Sequence, residues 1–203
     1  MQTTVATKPI DRVILASGSP RRRELLERMG LRFEVFPAQV NEWEEADAPP
    51  AELVRHNAAL KAEWAAVRKP QELILASDTT VALGDEVLNK PVDMDEARTM
   101  LGRLSGKTHT VYTSIALRCE AHNIDELDHV TSDVTFRLLS AEDIERYIQV
   151  VNPLDKAGAY GIQEGKEIII AGLDGSLTNV MGLPTEFLTD LFKRLGIWDS
   201  LSS

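Results

Sequence analysis

A chain of 203 residues can bury one good hydrophobic core, or two lobes around a cleft. Its 43% hydrophobic and 27% charged residues are ordinary for a globular protein, and 22 basic against 32 acidic side chains give a formal charge of −10. That balance argues against a nucleic-acid polymer or an anionic membrane as partner, while a free nucleotide can still be held by local cations. The single cysteine, Cys119, excludes an intrachain disulfide and fits a reducing compartment, most simply the cytoplasm.

Met1–Asp11 carries no apolar run of the signal-peptide type, and no segment reaches transmembrane length. Val13–Ala16 suits a buried strand and runs into the tight turn Ser17-Gly18-Ser19-Pro20. Pro20 fits the first position of a helix, which places Arg21, Arg22 and Arg23 in its opening turn. Three cations at the positive end of a helix are awkward unless an anion is held there; the alternative is a solvated basic helix start. Gly30 ends this helix, and Leu31–Phe36 alternates as a strand. The acidic loop that follows, with Glu42, Trp43, Glu44, Glu45 and Asp47, is either solvated surface or a source of one carboxylate for a cleft, Glu42 being the best placed.

Ala51–Val67 reads as an amphipathic helix with Leu53, Leu60, Trp64 and Val67 facing the core. Lys61 lies beside that stripe, among alanines, and a single helical lysine ordinarily belongs in solvent. Leu73–Ala76 is the next apolar strand, leading into Ser77, Asp78, Thr79 and Thr80. A carboxylate at the carboxyl end of a central strand is where open α/β sheets place ligand chemistry, although aspartates at strand–loop junctions are often turn formers. Val81–Leu83 and Glu86–Leu88 make a hairpin closed by Gly84–Asp85, with Lys90–Pro91 beyond it. A short helix over Asp95–Leu104, a strand over Thr108–Leu117, a polar tip over 119–129 and a strand over Val130–Leu139 come next. His109 lacks a nearby His or Cys and reads as a structural donor rather than a zinc ligand. Ser140 caps a helix to Val150; in Asn152–Gln163, Gly158 and Gly161 permit close approach of a ligand, and Asp155 pairs with Lys156. Strands over Ile168–Ala171 and Leu177–Met181 and a helix over Thr185–Leu195 complete an α/β or α+β domain with a mixed sheet.

The segments L-A-S-G-S-P-R-R-R-E-L-L (15–26), N-A-A-L-K-A (57–62), A-S-D-T (76–79), N-K-P (89–91), L-S-G-K-T-H (104–109), D-K-A-G-A-Y-G-I-Q (155–163) and V-M-G-L-P (180–184) together resemble the Maf family of nucleoside triphosphate pyrophosphatases. They stand in the family's order over Val13–Leu195. The resemblance implies one Maf-like domain over 1–203 with a loose segment at 1–11. It also implies an elongated, twisted mixed sheet flanked by helices, with two lobes around a cleft, akin to inosine triphosphate pyrophosphatases. Homodimers are common in the family. The implied reaction is metal-dependent hydrolysis of a nucleoside triphosphate to the monophosphate and pyrophosphate, with Mg²⁺ or Mn²⁺ as cofactor and dTTP and UTP as preferred substrates.

By matching position, the resemblance implies Asp78 as catalytic carboxylate, Ser17, Arg21, Lys61 and Lys90 on the phosphate side, and Glu42 near the metal. Arg21, Thr79 and Gln163 match the specificity positions of the dTTP/UTP branch. After Gln163 the chain has Glu164-Gly165-Lys166-Glu167 where many relatives have a glycine-rich segment. Asp78 can either accept a proton from water or help Glu42 hold the ion. Gln163 offers an amide donor and acceptor to the O4/N3 edge of uracil or thymine. A rival reading from another class is a nucleotide-binding regulator of cell division that needs no catalysis; a more distant one is a phosphate-ester or sugar-nucleotide enzyme.

Overall fold

In the computed structural model, residues 9–45 and 48–202 are described. Most of the expected loose segment 1–11, and Asp47 of the acidic loop, lie outside them; Ile10, which belongs to that segment, is buried in the core. In chain order the elements begin β1 (Val13–Leu15), α1 (Pro20–Arg28), β2 (Phe33–Val35), α2 (Pro50–Arg68), β3 (Leu73–Leu83) and β4 (Glu86–Leu88). There follow α3 (Met94–Leu104), β5 (Thr108–Cys119), β6 (Ile124–Phe136), α4 (Ala141–Val150), α5 (Lys166–Ile169), β7 (Ile170–Asp174), α6 (Leu177–Val180), α7 (Thr185–Arg194) and α8 (Trp198–Leu201). The strands form one mixed sheet in the order β2-β1-β3-β5-β6-β7, with β4 on β3. β1 is parallel to both neighbours, and β3, β5, β6 and β7 run antiparallel in turn.

β1 and the start of β3 are apolar at every position because both faces are covered. Val13, Leu15, Leu73 and Leu75 join Leu25 and Leu26 of α1 in one core. Ile14, Ala16, Ile74 and Ala76 meet Ala58, Ala62, Ala65 and Ala66 of α2 in another. Helices α1 and α2 therefore lie on opposite faces of the sheet. The chain leaves β1 through α1 to reach β2 on one side, then returns through α2 to β3 on the other, so the carboxyl end of β1 is a topological switch point.

Helix α2 does not bury the stripe expected of it. Val67 is 70% exposed, Trp64 is half-buried against Phe36, and Leu53 packs in a separate small cluster with Val87. Alanines take the sheet-facing side instead, since small side chains let the helix lie close to the strands. Other expectations also shift. Strand β6 starts at Ile124, so the polar tip shrinks to a single turn that Asn123 closes in the left-handed region (φ 54°). Leu138, expected in that strand, is exposed beyond its end. Leu177–Met181 is a helical turn rather than a strand, because Ser176 Oγ accepts from Asn179 N (3.2 Å) as an N-cap does. Lys166–Ile169 is helical as well, and the last strand begins only at Ile170. Among the described residues no helix is long and apolar enough to cross a membrane.

Candidate active site

Strand β3 is longer than its neighbours on one edge. β5 pairs with it continuously from Ile74 to Ala82. On the other edge β1 stops at Leu75 and β4 begins only at Val81, leaving Ala76–Thr80 without a strand partner there among the described residues. Asp78 lies in that gap, in the middle of an eleven-residue strand rather than at the strand tip expected from the sequence. The two placements are functionally alike, because what ends beside Asp78 is the neighbour β1. A cavity of about 740 Å³ opens at the gap, within the range of small-molecule sites.

Successive residues of a strand face opposite ways, and here each face is furnished differently. Asp78 faces α2 and is only 7% exposed. Its Oδ1 accepts from Lys61 Nζ at 2.7 Å, and its Oδ2 accepts from Asn57 Nδ2 at 3.3 Å. Lys61, itself 7% exposed and not in solvent as its pattern suggests, also donates to Glu42 Oε2 at 2.7 Å. One ammonium thus joins the carboxylate of the acidic loop to the carboxylate of the central strand. Asn57 explains why that loop is in reach: its Oδ1 accepts from Trp43 N (2.8 Å) and its Nδ2 donates to Trp43 O (3.0 Å). Asn57 and Lys61 stand four apart on one side of α2, next to the alanine stripe that brings the helix down onto the sheet.

Thr79 faces the other way, towards α1. Its Oγ1 accepts from Arg22 Nη2 (3.1 Å) and lies 3.0 Å from Thr113 Oγ1. Arg22 also donates through Nε to Gly182 O (2.8 Å) and through Nη1 to Ser17 Oγ (2.9 Å). Ser17 Oγ accepts from Ser19 N too (3.3 Å), and Ser77 Oγ donates to Gly182 O (3.1 Å). Burial pushes the Arg22 guanidinium below its ordinary range, with Asp78 and Glu42 pulling it back and Arg21 adding to the drop. Gly182 sits at φ +102°, and a Cβ there would come within 3.2 Å of Thr79 Oγ1, so this approach needs glycine.

All eight residues singled out from the sequence line this one cavity: Ser17, Arg21, Glu42, Lys61, Asp78, Thr79, Lys90 and Gln163. They differ in engagement. Arg21, Lys90 and Gln163 have no side-chain hydrogen bond or ion pair to described residues, and Lys90 and Gln163 are exposed. Sequence reasoning missed Arg22, Asn57 and Lys156. Arg22 precedes Leu25 and Leu26 by three and four residues, which places it on the buried side of α1. Lys156 is buried in the cavity wall, where its Nζ donates to Asn152 O and Asp155 Oδ1, each at 2.7 Å. Although partly desolvated, Asp155 is held below its ordinary range by Lys156 and by Arg21.

The glycines expected to admit a ligand receive protein groups instead. A Cβ on Gly158 (φ +66°) would meet Val81 at 3.1 Å, and one on Gly161 would meet Lys156 at 2.9 Å. Tyr147 Oη accepts from Gly161 N (3.0 Å) and donates to Gly161 O (3.3 Å), which fixes the segment ahead of Gln163. His109 is the structural group expected of it: Nε2 lies 2.8 Å from Tyr160 Oη, and burial lowers its pKa to about 4. Burial also raises the Cys119 thiol, which keeps it in the unreactive form.

The arrangement joins an acid–ammonium–acid cluster to Arg21 and Lys90, cations with no side-chain hydrogen bond among the described residues, around a cavity of about 740 Å³. The family of Maf-like proteins matches residues 12–195. The chain belongs to the Maf family. Two relatives, from Akkermansia muciniphila and Myxococcus xanthus, both named dTTP/UTP pyrophosphatase, are 45% and 46% identical to this Maf chain. The first alignment covers 91% of this chain and 96% of the relative, the second 91% and 93%. A third dTTP/UTP pyrophosphatase, from Pelotomaculum thermopropionicum, is 41% identical over 91% of this chain and 96% of its own. The solved Ham1 protein of Staphylococcus aureus covers 62% of this chain and 71% of its own at 14% identity and a TM-score of 0.46, a likeness too partial to carry weight.

Proposed function

We propose that this Maf chain hydrolyses dTTP and UTP at the α-phosphate, releasing the nucleoside monophosphate and pyrophosphate. The observation that carries the reading is the meeting of Asp78, Lys61 and Glu42 in a cavity that also collects Ser17, Arg21, Arg22 and Lys90. The names of the relatives support the choice of substrate.

Asp78 is the group for the water's proton. Each of its oxygens has one protein donor, Lys61 or Asn57, and keeps a further lone pair. With two of its three N–H bonds on Asp78 and Glu42, Lys61 has one left for a phosphate oxygen. Arg21 and Lys90, with no side-chain hydrogen bond or ion pair to described residues, meet the rest of the triphosphate charge, and the water-poor wall around Lys61 strengthens that attraction.

A divalent ion fits this donor set. No group of three His, Cys, Asp or Glu able to hold a metal exists among the described residues, and Mg²⁺ or Mn²⁺ is commonly taken by one or two carboxylates together with substrate phosphates. Asp78 and Glu42 are the residues that would hold it. Bound there, the ion would neutralise triphosphate charge and acidify a water.

Purified protein incubated with UTP or dTTP and Mg²⁺ is expected to yield pyrophosphate and the monophosphate in equal amounts. Tight nucleotide binding without turnover would favour the regulator of cell division. Release of inorganic phosphate in place of pyrophosphate would point to a different phosphate chemistry.

A further inference from the structure

Thr113 lies on β5, opposite Thr79 in the ladder, and is 0% exposed. It does not line the cavity, so no ligand there touches it. Its hydroxyl has one proton and stands between two oxygens: Asn179 O at 2.9 Å and Thr79 Oγ1 at 3.0 Å. A carbonyl oxygen only accepts, so the proton of Thr113 goes to Asn179. The opposite assignment would leave two oxygens 2.9 Å apart with no proton between them. Thr79 must then donate its own proton to Thr113. With that proton committed and one lone pair taken by Arg22 Nη2, Thr79 Oγ1 has a single acceptor position left.

We propose that Thr113 is a specificity-determining positioning residue: it holds the cavity-lining Thr79 hydroxyl as an acceptor only, so that the site selects a pyrimidine carrying an N–H at N3. The proposal rests on the functional reading above. Uracil and thymine present a donor at N3, whereas cytosine presents a lone pair there. An acceptor-only hydroxyl attracts the first and repels the second. A hydroxyl free to turn would serve both, which is why a serine or threonine ordinarily discriminates poorly. The lock also has a firm seat. Asn179 O accepts a second bond from Gly182 N (2.9 Å), and Asn179 Nδ2 is tied to Val111 O (3.2 Å) and Ser132 Oγ (3.0 Å). The carbonyl that takes the proton of Thr113 therefore cannot turn away.

The test compares kcat/KM for UTP and CTP in the wild type, Thr113→Val and Thr113→Ser. Valine keeps the shape and removes the acceptor for Thr79. The UTP-to-CTP ratio is expected to fall by roughly tenfold or more, mainly through a gain on CTP, since hydrogen-bond mismatches dominate such discrimination. Serine keeps the oxygen and its proton, and is expected to restore the ratio. A general loss of packing would instead lower both substrates together. A folded, active Thr113→Val protein with the wild-type ratio overturns the proposal.

A second measurement needs no variant. 3-Methyluridine triphosphate has no N3 hydrogen, and the wild type is expected to turn it over far less well than UTP. Equal kcat/KM for the two would also overturn the proposal. Failure of the wild type to release pyrophosphate from any pyrimidine triphosphate rejects the functional reading itself. Intact UTP turnover with an unchanged ratio rejects only the part assigned to Thr113.

Discussion

The two faces of β3 around Asp78 and Thr79 show two ways of burying polar groups. On the α2 side, two carboxylates and an ammonium are held by few bonds, and each keeps valence for a ligand. On the α1 side, hydroxyls and backbone carbonyls surround Arg22, and three of its five N–H bonds are already satisfied. The first face can react because it is incompletely paired. The second can position because it is almost fully paired, and a satisfied buried network has one low-energy arrangement. Adjacent residues of a single strand supply both, so the chemistry and its alignment share one rigid backbone.

Breaking the reactive face should have the largest effect. Asp78→Asn keeps the shape but cannot take a proton, and the fall in kcat for UTP is expected to be on the order of 10²–10⁴, the usual range for a general base. Circular dichroism and the unfolding midpoint should be close to wild type. Near-normal turnover by the asparagine variant would move the base elsewhere.

The positioning face can be probed with a proton. His109 is buried with Tyr160 and Phe136 and has a pKa of about 4, against about 6.5 for an unperturbed imidazole. The folded value is the lower one, so between pH 6.5 and 4 the unfolded chain binds more protons. Stability from this group is complete above pH 6.5 and is lost as pH falls towards 4, by about 3 kcal/mol in all. Chemical denaturation at several pH values should show that slope, and His109→Gln should flatten it. An identical acid slope in the variant would assign the loss to other groups.

How much of this could be read beforehand depended on the kind of signal. Strands buried on both sides, such as Val13–Ala16, were legible because continuous apolar runs have few other uses. The hairpin at Gly84–Asp85 and the Ser140 cap were legible from local turn and cap chemistry. The face of α2 was not: large apolar residues outweighed alanines in the pattern, whereas close packing on the sheet favoured the alanines. Lys61 reads as solvent-exposed for a different reason, that a single helical lysine is ordinarily exposed. The motif resemblance put Asp78, Lys61 and Glu42 in one site, but it could not tell which of three successive arginines turns inward. Helix phase relative to Leu25 and Leu26 contained that answer. The Thr113–Asn179 lock was invisible, because it joins residues 66 apart that only the sheet brings together.

Asn57 offers an intermediate break, since it fastens the Trp43 loop and gives Asp78, at Oδ2, one of its two donor bonds without itself taking a proton. Asn57→Ala leaves the Trp43 N–H and carbonyl without their partner and is expected to cost about 1–3 kcal/mol of stability. Turnover should drop by roughly tenfold, less than for Asp78→Asn, because Glu42 is then held less firmly beside Lys61 while Asp78 remains. A drop as large as that of Asp78→Asn would mean that its bond to Asp78, and not its hold on the loop, carries the effect.

Gln163 should give the smallest effect, and the reason sharpens the contrast between the faces. Its side chain is exposed at the cavity edge and has no hydrogen bond to described residues, so its removal is expected to leave folding stability unchanged. Any bond it makes to the O4/N3 edge of a bound uracil exchanges with water, and such a bond contributes little net energy. The UTP-to-CTP ratio of kcat/KM in Gln163→Ala is therefore expected to fall by only about three- to tenfold, with an unfolding midpoint equal to wild type. Thr113→Val, which removes a buried anchor, should lower the same ratio at least as much and also lower the midpoint. An unchanged ratio in Gln163→Ala would remove this residue from base recognition and leave discrimination to the rigid face. A fall larger than that of Thr113→Val would invert the assignment, with the mobile amide choosing the base and the locked hydroxyl only supporting Arg22.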